Sequence, residues 1–279
     1  MTPPNDTPRN APAPLAFSVL ASSSKGNCTY VETAGGTRIL VDAGMRCSGV
    51  CERLAAIGRS LEDVQAVLVT HGHSDHTSSL PVIEDRTGVP VYATDGTAAT
   101  IERDGRREKP DLAWNFAVFA AGEPFPVGDL DVEPFPVPHD SSDPVGFVLR
   151  APGGAALGFA TDLGEAPLVV RHRLRGCHAL VLEFNHDPQM LLASDRAWSL
   201  KQRILGRSGH LSNEQAAELL AYAYSDRLRV VFPAHVSGDC NTPELAQHAV
   251  RIALRALKCE DRVRICPTYR DAASPLVEI

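Results

Sequence analysis

Short apolar runs recur along the chain and alternate with turn-forming residues or with segments of helical periodicity. Runs of this kind, rich in branched residues and bounded by Gly, Pro, Asn or Asp, predict β-strands. A strand-rich first half ends in a helical pattern and a second half does the same, which fits two sheets packed face to face with helices outside. The predicted strands are 15–21, 28–33, 37–42, 66–70, 90–93, 116–120, 130–137, 145–150, 156–161, 179–183, 229–233 and 263–267.

Three predicted helices are marked by their boundary residues. A helix over 48–57 ends at Gly58, because glycine accommodates the backbone that terminates a helix. Ser212 and Gln215 have the spacing of a capping box, which predicts a helix directly after Ser212. The Thr-Pro-Glu sequence at 242–244 begins another helix, since it places a cap, a proline and an acid where a helix N-terminus favours them.

The composition is that of a globular protein, with 44% hydrophobic and 22% charged residues among 279. Residues 1–14 are polar and proline-rich, so we expect a disordered tail followed by a single domain over 15–279. The net charge of −7 argues against an overall basic field for nucleic acid but allows a local basic groove. The seven cysteines include no CxxC pair and no apolar run spans a bilayer, so we expect a cytoplasmic protein without membrane contact.

A dense cluster of metal-binding side chains follows the predicted strand 66–70. His71, His73, Asp75 and His76 lie within six positions, which ten histidines in 279 residues make improbable as a chance feature of a surface loop. Imidazole and carboxylate together suit Zn, Mn or Fe. His71 and His73 alternate and share one face of extended backbone, whereas Asp75 and His76 follow in the next turn and can serve a second ion.

Further ligands must come from elsewhere, because one cluster does not complete a site. His139, Asp162 and His235 each follow an apolar strand, in the same context as the first cluster. Taken singly, each of them is more typical of a cap or a solvated turn. Together they match the number required, since two ions that each keep an open position need about seven protein ligands with one carboxylate bridging.

The run His71-Gly72-His73-Ser74-Asp75-His76 resembles the HxHxDH signature of the metallo-β-lactamase superfamily, and Asp42 resembles that superfamily's first motif. The resemblance implies a four-layer αββα sandwich of the α/β class. It also implies one metal on His71, His73 and His139, a second on Asp75, His76 and His235, a bridging Asp162, and Asp42 as a hydrogen-bonding brace for the ligand loop.

A narrower resemblance is to the YycJ or WalJ group of the superfamily, bacterial proteins regarded as DNA exonucleases. The matching segments are the Ser-rich turn at 22–27, the third-ligand segment at 137–147, the ExNHD run at 183–187, the GHLSN run at 209–213 and the last motif at 234–241. This resemblance implies a phosphodiester substrate, with DNA as the expected partner.

Several residues are candidates for catalysis or substrate binding. Asp75 would ligate the second metal and orient a hydroxide, which two divalent ions supply by lowering the pKa of a bridging water toward about 7. His210 precedes a helix N-terminus and is a candidate for binding a phosphate or protonating the leaving oxygen, or else for capping the turn. His186, Ser237 and Asn241 are candidate substrate contacts, and each is equally consistent with a structural role in a turn or cap.

Three functions compete. The favoured one is a dinuclear, metal-dependent phosphodiesterase or DNA exonuclease that uses a metal-bound hydroxide. The alternative is a hydrolase of small molecules such as a cyclic phosphodiester, thioester or lactone, because this scaffold hosts many reactions. The third is a non-catalytic, metal-bearing binding protein. Basic residues at 171–175 and 201–207 suit an anionic polymer if they line the site, and otherwise are ordinary solvated arginines.

Overall fold

The computed structural model describes residues 15–105, 109 and 111–279, so the tail predicted at 1–14 lies outside the described residues. Two seven-stranded sheets form its centre. The first sheet contains β1 (Leu15–Ala21), β2 (Cys28–Thr33), β3 (Arg38–Val41), β4 (Ala66–Leu68), β5 (Val91–Ala93), β6 (Phe116–Val118) and β14 (Val277–Glu278). The second contains β7 (Phe125–Val127), β8 (Leu130–Pro136), β9 (Val145–Arg150), β10 (Ala156–Ala160), β11 (Ala179–Glu183), β12 (Val230–Ala234) and β13 (Arg264–Ile265).

The described ranges contain nine α-helices. They are α1 (Cys47–Ala56), α2 (Ser74–Thr77), α3 (Leu80–Thr87), α4 (Asp95–Gly105), α5 (Leu168–Leu174), α6 (Pro188–Ala193), α7 (Trp198–Leu205), α8 (Asn213–Ala223) and α9 (Pro243–Ala256). Within the described ranges, no helix is long and apolar enough to cross a membrane.

Three buried apolar clusters hold four layers together. Side chains from both sheets meet in the central cluster, where the rings of Phe17 and Phe232 lie 5.0 Å apart. Helices α1, α3 and α4 pack on the first sheet, and α5, α8 and α9 pack on the second. Burial of each large side chain in these clusters contributes about 1.5–3 kcal/mol. The αββα sandwich predicted from the sequence is therefore confirmed.

The carboxyl ends of parallel strands position the site. Strands β3 to β6 run parallel to one another, as do β10 to β13. In each parallel set the strand ends meet at one edge of the sheet, where ligands are expected in α/β proteins. Asp42 follows β3, Asp162 lies two residues beyond β10, and His235 follows β12.

The helix boundaries follow the predicted chemistry. Gly58 has φ of +70° directly after the C-cap of α1. Ser212 and Gln215 form both hydrogen bonds of the capping box at the start of α8. The hydroxyl of Thr242 accepts a hydrogen bond from the backbone N–H of Leu245 and caps α9. These helix starts and ends confirm the three predictions made from their boundary residues.

Candidate metal centre

Three of the polar residues at the strand ends have left-handed backbone conformations. The φ angles are 61° for Asp42, 59° for Asp162 and 52° for His235. Residues other than glycine rarely adopt this conformation, which costs on the order of 1–3 kcal/mol and persists where the surrounding structure enforces it. Here it turns the chain sharply at the end of each strand, which places all three side chains in one region.

A first set of imidazoles consists of His71, His73 and His139. Nδ1 of His73 lies 3.1 Å from Nε2 of His71 and 3.2 Å from Nε2 of His139. The other ring nitrogens are occupied, since Nδ1 of His71 lies 3.0 Å from the hydroxyl of Thr70 and Nδ1 of His139 lies 3.2 Å from the carbonyl oxygen of Gly209. Three nitrogens thus converge on one point, in the manner of a metal ligand set.

A second set consists of Asp75, His76 and His235. Oδ2 of Asp75 lies 3.6 Å from Nε2 of His76 and 3.6 Å from Nε2 of His235. Asp162 lies between the two sets, because its Oδ2 is 3.2 Å from Nε2 of His76 and its Oδ1 is 3.9 Å from Nε2 of His139. The structure therefore brings together all seven residues predicted as ligands, with Asp162 in a central position.

Two buried polar atoms at this point show that the residues fit a metal ion. Among the described residues, Oδ2 of Asp162 and Nε2 of His235 have no partner in hydrogen-bond geometry, although that Oδ2 lies 3.2 Å from Nε2 of His76. Unpaired buried polar groups are rare because they forfeit hydration without compensation. A divalent cation would satisfy both atoms, and imidazole with carboxylate is the donor set that Zn, Mn and Fe accept.

Buried carboxylates contact the Nδ1 atoms of two of the candidate ligand histidines. Oδ2 of Asp42 lies 2.8 Å from Nδ1 of His76, and Oε1 of Glu183 lies 2.9 Å from Nδ1 of His235. Such outer carboxylates orient the imidazole so that Nε2 is the ring nitrogen directed toward a metal. The bracing role predicted for Asp42 is thus supported by this contact. Glu183 had no predicted role, although a glutamate at the end of an apolar strand signals a partnered buried charge.

The Ser-rich turn at 22–27 also supports the ligands, in a way the sequence did not indicate. The hydroxyl of Ser22 accepts a hydrogen bond of 2.6 Å from the backbone N–H of His235. Nδ2 of Asn27 lies 3.3 Å from the carbonyl oxygen of Asp75 and 3.1 Å from Nε2 of His76. This turn therefore fixes ligands of the second set from the first half of the chain.

The charges of the cluster shift its protonation strongly. Burial alone would lower the pKa of His235, but Asp162, Asp75 and Glu183 outweigh it and raise that pKa to about 10. Burial is likewise outweighed at His76, whose pKa is raised by Asp162, Asp42 and Asp75. Without a cation, protons on these histidines therefore neutralise the buried carboxylates.

An open, polar cavity of about 280 Å³ lies over the two ligand sets. His73, Asp75 and His139 line its floor together with Asp162 and His235, and Arg196, Arg203, His210 and Ser237 line its walls. Nδ1 of His210 lies 2.9 Å from Oε1 of Glu183, and the His210 side chain is 21% exposed. Its other ring nitrogen is the one available to a substrate.

The predicted substrate contacts are placed differently from one another. Ser237 lines the cavity, but His186 does not and is only 1% exposed. Asn241 is buried, and its amide is occupied by hydrogen bonds with the Asn213 side chain and the carbonyl oxygen of Phe184. Substrate contact by His186 or Asn241 stays a prediction that this geometry does not favour.

The two basic segments, 171–175 and 201–207, differ in whether they reach the cavity. Arg203 lines the cavity, whereas the ammonium of Lys201 donates to the carbonyl oxygens of Leu192 and Ser194. In the other segment, Arg171 lies over the ring of Tyr222 and lines no part of the cavity. Of these two segments, only the one at 201–207 therefore brings positive charge to the cavity.

The chain is similar to proteins of known class. A family model described as a β-lactamase superfamily domain matches residues 37–235. The chain is 34% identical over 265 residues to "Exodeoxyribonuclease WalJ" of Streptococcus pneumoniae serotype 2, which covers 94% of this chain and 97% of that protein. It is 36% identical over 236 residues to "Exodeoxyribonuclease YycJ" of Bacillus anthracis, covering 85% of this chain and 88% of that protein.

Solved structures share the fold of this chain. The metallo-β-lactamase fold protein YhfI from Bacillus subtilis superposes with a TM-score of 0.69 at 12% identity, covering 96% of this chain and all of that one. Fold and ligand motif together define a metallo-β-lactamase-type hydrolase scaffold. The chain belongs to the metallo-β-lactamase superfamily, in the group that contains YycJ and WalJ.

Proposed function

We propose that this protein is a metal-dependent phosphodiesterase that degrades DNA as an exonuclease. The observation that carries the proposal is the convergence of two ligand sets on Asp162, beneath an open cavity whose walls carry Arg196 and Arg203. Guanidinium groups beside a metal-ligand floor suit a substrate that carries several phosphates, as a nucleic acid strand does. The similarity to two proteins named as exodeoxyribonucleases supports the same substrate class.

We further propose that the site holds two divalent ions, drawn from Zn, Mn and Fe. One would be held by His71, His73 and His139 and the other by Asp75, His76 and His235, with Asp162 shared between them. When bound, such ions supply Lewis acidity that makes water a nucleophile near neutral pH and neutralises charge on phosphate oxygens.

The protein's own groups position and move protons around the phosphate. Asp75 lines the cavity and presents a carboxylate that accepts a hydrogen bond from the attacking water. His210 presents its free ring nitrogen to the leaving oxygen and donates a proton there, while Glu183 accepts the hydrogen bond from Nδ1 and keeps the ring oriented. Ser237 lines the cavity, and its hydroxyl, which accepts a hydrogen bond from the backbone N–H of Cys240, would donate to a phosphate oxygen.

The charges on the walls count against part of the small-molecule alternative. The reacting group of a thioester or lactone carries no anion for Arg196 and Arg203, whereas a cyclic phosphodiester does, and the cavity is open rather than closed and apolar. The seven cysteines are all free, which supports a reducing, cytoplasmic location as a further part of the proposal.

The test combines metal content with activity on two substrates. The protein is purified with its metals retained, metals are quantified by mass spectrometry, and bis-p-nitrophenyl phosphate and 5′-labelled DNA are assayed beside His73→Ala. We expect about two metals per chain and DNA degradation that His73→Ala abolishes. Turnover of the small ester with intact DNA would instead establish a small-molecule phosphodiesterase.

A further inference from the structure

Two arginines on the cavity walls have most of their hydrogen-bonding capacity unused. Nη2 of Arg196 lies 2.9 Å from Oδ2 of Asp239, and Nε of Arg203 forms a hydrogen bond with Oδ2 of Asp140. Within the described part of the chain, their remaining guanidinium nitrogens have no protein partner. A guanidinium carries five N–H donors in a planar fork that matches a phosphate group, so both arginines retain the capacity to bind one.

The position of Arg203 relates it directly to the first ligand set. Oδ1 of Asp140, the partner of Arg203, lies 3.5 Å from Nε2 of His139 and 3.9 Å from Nε2 of His73. One carboxylate therefore separates this guanidinium from the imidazoles that line the floor. Because Asp140 lies between them, Arg203 enters the cavity beside the floor and not directly over its imidazoles.

The neighbouring residues show that this placement is local to the cavity. Leu200 and Ile204 of α7 line the cavity with Arg203, so this helix presents one face to the site. Arg207, just beyond α7, is 89% exposed, pairs with Glu165 at 3.6 Å and does not line the cavity. The chain thus offers a matched arginine with the same charge that does not line the cavity.

The geometry points to Arg196 and Arg203 as the binding site for a second phosphate, next to the one that is hydrolysed. This inference rests on the proposed phosphodiesterase function and narrows its substrate class. The preferred substrates are nucleic acid strands with a phosphate adjacent to the scissile diester, and compounds with one isolated diester leave the arginines unused. Phosphate contacts of this kind raise affinity without reading base sequence.

Three dinucleotides separate an isolated diester from one with a neighbouring phosphate. The first, dTpdT, has a single diester, whereas pdTpdT adds a 5′-phosphate and dTpdTp adds a 3′-phosphate. We expect the metal-loaded protein to cleave one of the two phosphorylated compounds with a kcat/KM about tenfold or more above that of dTpdT. The compound that is favoured also identifies the side of the scissile diester on which the arginines lie.

Variants connect this preference to the arginines. In Arg196→Gln/Arg203→Gln the preference for the phosphorylated dinucleotide should disappear, whereas Arg207→Gln should keep it. Arg203→Lys retains the charge but lacks the fork, and should retain part of the preference. Metal content and thermal unfolding of each variant confirm that the ligand sets and the fold persist.

Three results would overturn the inference in different ways. Equal rates for all three dinucleotides in the unmodified protein would remove the second phosphate site and leave the phosphodiesterase intact. An equal loss on all three substrates in Arg196→Gln/Arg203→Gln would assign these arginines to the scissile phosphate itself or to holding Asp239 and Asp140 in place. If the unmodified protein cleaves no dinucleotide and no longer DNA, the proposed function itself fails and the inference falls with it.

Discussion

Nδ1 of His76 lies 2.8 Å from Oδ2 of Asp42, and neither side chain is accessible to solvent. Asp42 also accepts hydrogen bonds from the backbone N–H and the hydroxyl of Thr70, the residue that precedes the ligand cluster. One carboxylate therefore fixes both the ring orientation of a ligand and the start of the loop that carries three others. Its left-handed backbone allows this reach from the end of β3.

Replacing this carboxylate with an amide should weaken metal binding. We expect Asp42→Asn to reduce metal affinity about 10- to 100-fold, because the amide holds the imidazolium or imidazole N–H of His76 less strongly than a charged acceptor does. Competition with a chelator measures the affinity, and Asp131→Asn on the exposed face of β8 serves as the control. Unchanged affinity accompanied by lower thermal stability would limit Asp42 to a role in folding.

Much of the fold could be read from local sequence, and the seven candidate ligands stood out as polar residues near strand ends together with the family resemblance. Strands such as β1 and β11 are continuous apolar runs. Alternation of His71 and His73 was enough to indicate a shared face. The strands missed, β7 and β14, are three and two residues long, and strands this short have no readable period.

The remaining features depend on contacts between distant parts of the chain. Glu183 contacts His210 and His235, which lie 27 and 52 residues away in sequence. The distinction between Arg203, which lines the cavity, and Lys201, which donates to backbone carbonyls, arises from the rotation of one short helix. Neither residue type nor spacing in a single sequence contains this information.

Metal binding should strengthen as the pH rises. In the metal-free chain the pKa of His235 is raised to about 10 and that of His76 is also raised. Both side chains are therefore protonated imidazolium ions at neutral pH. A metal must displace these protons, and we expect affinity to increase about tenfold per pH unit for each proton displaced, up to pH near 10.

Calorimetric titration of the metal-free protein in buffers of different ionisation enthalpy measures that proton release. We expect a release of at least one proton per metal bound between pH 6 and 8. Binding enthalpies that do not depend on the buffer would show that His235 and His76 are already neutral, and would contradict the prediction.

A role for His210 as a proton donor predicts a dependence on the leaving group. We expect His210→Ala to lower kcat on DNA by about 10²- to 10⁴-fold, because the departing alkoxide needs a proton. The loss on bis-p-nitrophenyl phosphate should be much smaller, since p-nitrophenolate departs without one. Metal content measured in the same preparations controls for damage to the site. Equal losses on both substrates would instead favour a purely electrostatic contribution to phosphate binding.

Asn241 and Ser237 were equivalent candidates in the sequence, and the structure separates them. Asn241→Ala would leave the buried Asn213 side chain without its partner, so we expect unfolding to require about 1–3 kcal/mol less free energy, with KM for labelled DNA little changed. Ser237→Ala should instead raise KM for labelled DNA and change the free energy of unfolding little, because Ser237 lines the cavity. Urea unfolding of the metal-loaded protein and initial rates across DNA concentrations measure the two effects. A raised KM with unaltered stability in Asn241→Ala would restore that residue as a substrate contact.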